Sequence, residues 1–90
     1  MLKIRYTDNG DAVLTVSGRL QADNLEELVA ALDQEQPGRA LVLDLKDLVG
    51  VDEDAIRLLC ACERDGIVLR NCPAYVRTWM ARERDARETN

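Results

Sequence analysis

Residues 40–45 read Ala-Leu-Val-Leu-Asp-Leu, a nearly unbroken apolar run with turn-forming residues around it. Such a run suits a strand covered on both faces, as in a parallel sheet, better than a half-wet strand. A parallel strand needs a crossover on either side, and the flanking segments read as helices. Upstream, Leu25, Leu28, Val29 and Leu32 fall at i, i+3, i+4 and i+7, one helical face. Asp23 or Asn24 can cap that helix, with Glu26 or Glu27 three residues on, and Gln-Pro-Gly-Arg at 36–39 ends it. Downstream, residues 55–62 leave Arg57 as the one polar residue in an apolar helical run, with Gly66 as its C-cap. Residues 67–70 make a short strand. Pro73 then opens a helix with Tyr75, Val76, Trp79 and Met80 inward.

The chain starts differently. Leu2–Thr7 alternates apolar and polar residues, Asn9-Gly10 is a hairpin turn signal, and Ala12–Gly18 is the return strand. The order strand, strand, helix, strand, helix, strand, helix predicts an α/β fold. An N-terminal β-hairpin is followed by alternating helices and strands, giving a small mixed sheet with helices mainly on one face. Residues 1–85 form one domain in this reading. The charged stretch after Met80 is expected to fray, with 86–90 as a tail.

A chain of 90 residues buries about 60–65% of its unfolded surface, enough for one modest core. There is no Phe, so that core is aliphatic. A net charge of −5 disfavours nucleic-acid binding, and Arg77, Arg82, Arg84 and Arg87 alternate with acids as on a solvated helix face. No apolar stretch approaches the ~20 residues of a membrane span, and the N-terminus lacks signal-peptide features. A cytoplasmic protein without membrane attachment is expected. Cys60, Cys62 and Cys72 are an odd set without any His, which points to free thiols and no metal or other cofactor. Cys72 sits at a helix N-terminus, where thiol pKa values tend to fall.

Three consecutive acids, Asp52, Glu53 and Asp54, precede the second helix. Carboxylate catalysis needs acids on separate elements whose environments differ, and no His, activated Ser or phosphate-cradling loop accompanies these. The chain therefore reads as no enzyme. The helix macrodipole accounts for one acid at about 0.3–1 kcal/mol, yet three in succession also repel one another. A response-regulator receiver would use Asp44 as nucleophile. It would also need an acidic pair after the first strand and a Lys on the last one, and both are missing.

Taken together, residues 13–28, 41–59 and 66–80 resemble a STAS domain, the fold of anti-sigma factor antagonists and of the cytoplasmic tails of sulfate transporters. The resemblance spans nearly the whole chain. In antagonists of this kind the loop before the second helix reads Asp-Ser-Ser/Thr-Gly, and a partner kinase phosphorylates the first Ser. Matched position by position, Asp52 keeps the Asp, Glu53 replaces the acceptor, Asp54 the next hydroxyl residue and Ala55 the Gly. The resemblance thus implies a regulatory protein that binds a protein partner, kinase-like, anti-sigma-like or another signalling protein, without a Ser/Thr phosphoacceptor at position 53. Its switch loop would comprise Asp52, Glu53, Asp54 and Ala55. Arg57 would lie at the partner-facing edge, four residues after Glu53 and able to pair with it. Other readings are a small-ligand or nucleotide-binding module, with Arg19, Arg57 and Arg70 to hold an anion, and a structural subunit of an assembly. A homodimer is left open.

Overall fold

The computed structural model describes residues 2–8, 10, 12–34 and 40–88. Strand β1 (Leu2–Asp8) pairs antiparallel with β2 (Ala12–Leu20), in register from Leu2 opposite Gly18 to Asp8 opposite Ala12. Gly10 takes a φ of +93°, the left-handed region that a tight hairpin requires and a side chain resists. Asn9, the other half of the expected turn, lies outside the described residues, as do residues 35–39, where the first helix was expected to stop.

After a 3₁₀ turn (Ala22–Asn24), helix α1 (Leu25–Asp33) leads to β3 (Leu41–Asp44), which lies parallel to β2. Strand β4 (Leu48–Val51) lies parallel to the same edge of β2, further along. The two pieces are one interrupted strand. Ala12 pairs with Leu41, but Gly18 pairs with Leu48 and Leu20 with Val51, so extra residues accumulate on the β3–β4 side. The sequence reading missed β4, because Gly50 and the adjacent acids resemble a loop. Helix α2 (Glu53–Arg64) then crosses to β5 (Val68–Arg70), parallel to β3, and α3 (Ala74–Glu88) completes the described chain.

Both crossovers, β2–α1–β3 and β4–α2–β5, step in the same direction across the sheet. Right-handed connections then place both helices on one face, and α3 packs beside α2. Burial agrees. Ala12, Leu14, Val16, Leu41, Leu43 and Leu69, in register across three strands, join Leu28, Ile56, Leu59, Val76 and Met80 in one cluster. Val42, on the opposite face of β3, is buried yet stands outside that cluster. All four residues of β3 are buried, as the apolar run predicted. Helices nevertheless cover only one face; neighbouring strands shield the other side of this central strand.

Several inward assignments need correction. Val29 is 40% exposed, because Leu28 alone reaches the centre of the core from α1 while Leu25 and Leu32 pack at its margin. Tyr75 is 49% exposed, since Val76 and Met80, one turn apart, already fill the α3 stripe with Trp79 at its edge. Helix α3 includes the charged stretch after Met80 as far as Glu88, with Arg57–Glu83 at 3.1 Å and Arg84–Glu63 at 3.3 Å linking it to α2. Helix α2 ends as expected at Gly66 (φ +92°). Ile67 N–H donates to the Cys62 carbonyl and Gly66 N–H to that of Glu63, a Schellman arrangement.

Candidate interaction surface at the start of α2

The turn from β4 into α2 is held by Asp52. One carboxylate oxygen accepts the Ala55 N–H at 2.9 Å as the helix N-cap, and the other accepts the Ala22 N–H at 2.8 Å. These donors stabilise the charged form and hold the Asp52 carboxyl below its ordinary pKa. The Asp52 N–H in turn donates to the Leu20 carbonyl at 3.3 Å. Asn24, expected as the cap of α1, turns backward instead: its Oδ1 accepts the Gln21 N–H and its Nδ2 donates to the Arg19 carbonyl. Two chain junctions thus meet on one carboxylate.

Glu53 and Asp54 form the first turn of α2 and are exposed. Ala55 is fully buried and belongs to the core, so it reaches no partner-accessible surface. A small side chain suits a position pressed between the helix start and the sheet. Arg57 gathers three carboxylates: Glu53 at 2.8 Å, Asp54 at 3.5 Å and, from α3, Glu83 at 3.1 Å. The bond to Glu83 and the nearby charge of Glu53 raise its pKa. Arg57 therefore faces outward as expected, but it also links two helices, which its own spacing could not reveal.

Glu83 connects this charged turn to an open stripe along one side of α3 formed by Tyr75, Thr78, Trp79, Arg82 and Glu83. The resulting surface is continuous: exposed acids, a guanidinium bridge, then two aromatic side chains along α3. Only the acids and Arg57 were assigned from sequence. Tyr75 and Trp79 were assigned to the core; Trp79 packs partly against it, whereas the exposure of Tyr75 follows from which side of α3 meets α2.

Arg19 and Arg70 share the face of the sheet opposite the helices, whereas Arg57 lies in the helical layer. The structure does not bring the three together as an anion site. The cysteines are free; Cys60 and Cys62 are buried, and burial pushes the Cys62 thiol up to about 11. Burial also raises the Cys72 thiol and outweighs the lowering that a helix N-terminus favours, because Cys72 packs against the core just before α3. Among the described residues no group of acids or cysteines could hold a metal ion, and no helix is long and apolar enough to cross a membrane.

A family model described as "Mlab, STAS domain" matches residues 4–83. The chain belongs to the STAS-domain family. Its fold is similar to the crystal structure of an uncharacterized protein of the DUF3478 family with a SpoIIAA-like fold from Shewanella loihica PV-4. The TM-score is 0.51 at 14% identity, over 74% of this chain and 61% of that one. This STAS domain therefore spans less than two thirds of that protein's length. A search of curated proteins returns no match. Within the STAS frame, the capping aspartate stands at position 52 and carboxylates occupy the two positions after it.

Proposed function

We propose that this STAS domain is a non-catalytic regulatory protein of the cytoplasm that acts by binding a protein partner. Binding uses Glu53, Asp54 and Arg57 together with the adjoining open stripe of α3, and requires no phosphorylation at position 53. The observation that carries the reading is the continuity of that surface. Asp52 fixes the acids in place, Arg57 spans to Glu83, and Glu83 borders the exposed Tyr75 and the half-buried Trp79. Buried aromatic anchors with a charged rim are what protein interfaces use. A phosphoserine would carry about −1.5 to −2 charges, and Glu53 with Asp54 supplies comparable charge permanently. The state of the surface is then constant, and a partner with a basic patch fits it.

The test is affinity capture with the parent protein and with a Glu53→Lys, Asp54→Lys double variant, followed by calorimetry against the captured protein. A partner retained by the parent and lost by the variant supports the reading. Equal affinity for both, with the fold intact by circular dichroism, would mean that the acids only start a helix.

A further inference from the structure

The face of the sheet away from the helices carries a second site of opposite charge. Lys3 and Arg5 on β1 lie directly across from Ser17 and Thr15 on β2, so all four side chains emerge on the same side of the sheet. The turn between β3 and β4 brings Lys46 and Asp47 to the same place. That turn is held by the Gly18 N–H donating to the Asp47 carbonyl at 3.1 Å and the Lys46 N–H donating to Asp44 Oδ1 at 3.1 Å. Together these six residues line a depression of about 300 Å³.

Three cations face one lining carboxylate, Asp47, and Asp44 stands beside Thr15 on the same face, on a chain whose net charge is −5. Among the described residues no ion pair engages Lys3, Arg5 or Lys46. In the helical layer Arg57, Arg77 and Arg84 are each paired with a glutamate, while Arg64 and Arg82 are exposed singly along their helices. Three cations outweigh the carboxylate among them, and an anion seated there relieves the remaining repulsion.

We infer that this depression binds a small phosphate-bearing molecule. Lys3, Arg5 and Lys46 supply charge-assisted hydrogen bonds, and the hydroxyls of Thr15 and Ser17 supply neutral ones. The pocket is small enough to favour a compact anion over a macromolecule, and its donors rise from paired strands and a fixed turn. The site is independent of the surface proposed for the protein partner, which lies in the helical layer.

The experiment is an amide-resonance titration of the parent chain with inorganic phosphate and with pyrophosphate, against sodium chloride at matched ionic strength. The expected result is saturable shifts confined to residues 3–5, 15–17 and 46–47, with pyrophosphate the tighter ligand. Lys46→Ala, in an exposed turn that leaves strand pairing intact, should weaken binding about tenfold. Asp47→Asn should strengthen it, an effect that loss of folding cannot imitate. Arg64→Ala, on the helical layer, should change nothing. Shifts that stay linear, that chloride reproduces, or that Lys46→Ala and Asp47→Asn leave unaltered would overturn the assignment.

Discussion

The carboxylate of Asp52 accepts the backbone N–H of Ala22, thirty residues earlier in the chain, at 2.8 Å, while capping its own helix through Ala55. One side chain thereby joins the exit of β2 to the entry of α2. Asp52→Ala removes both bonds and should cost about 1–2 kcal/mol at neutral pH, within the range measured for N-caps. Chemical denaturation checks this. Because the folded-state pKa is lowered, the stabilisation is complete above the ordinary carboxylate range and fades as pH falls through the folded value. The difference between parent and variant should accordingly shrink on acidification from pH 5 to 2. A gap that persists at pH 2 would assign the loss to packing.

Arg57→Ala should lower the melting temperature by less than Asp52→Ala does, since its three ion pairs are half-exposed. The loss should diminish at high salt. A double-mutant cycle with Glu83→Ala separates the link between α2 and α3 from the pairs within α2. Additive losses would show that the 3.1 Å contact with Glu83 contributes nothing in solution.

Tyr75→Ala should leave stability nearly unchanged, because the ring is half-exposed, while weakening capture of the partner bound through the acids of α2. Val76→Ala, one residue on and fully buried, should do the reverse and cost about 1–3 kcal/mol. Thermal melts and calorimetry on the two variants distinguish them. Similar stability losses for both would place Tyr75 in the core after all.

Thiol labelling at neutral pH should be slow at all three cysteines. It should be fastest at Cys72, which is only partly buried, and slowest at Cys62. The Cys62 thiol stays protonated in the folded protein up to about 11, whereas the unfolded thiol ionises near its ordinary value. Stability should therefore decline as pH rises between those two values, and Cys62→Ala should flatten that decline. Denaturant midpoints between pH 8 and 11 supply the measurement.

The hairpin, the three helices and the central strand are all legible in the sequence, because each rests on local periodicity or a turn residue such as Gly66. The second piece of the interrupted strand is not legible. Residues 48–51 are strand only because β2 offers an unoccupied edge beyond β3, a tertiary fact without a local signature. The charged half of the candidate surface, Glu53, Asp54 and Arg57, could be read from spacing. Its aromatic half could not, since Tyr75 and Val76 are equally apolar neighbours and only the docking of α3 on α2 decides which one turns inward. The reach of Asp52 to Ala22 is invisible for the same reason.

The sheet also acts as a partition. Side chains alternate across it, so Lys3, Arg5, Thr15 and Ser17 have no part in the core that supports α2 and α3. Occupancy on one side need not displace occupancy on the other, and a phosphate-bearing ligand and a protein could be held at the same time. Each site can also drift in sequence without dragging the other along. A chain of ninety residues thereby has room for two separately adjustable inputs.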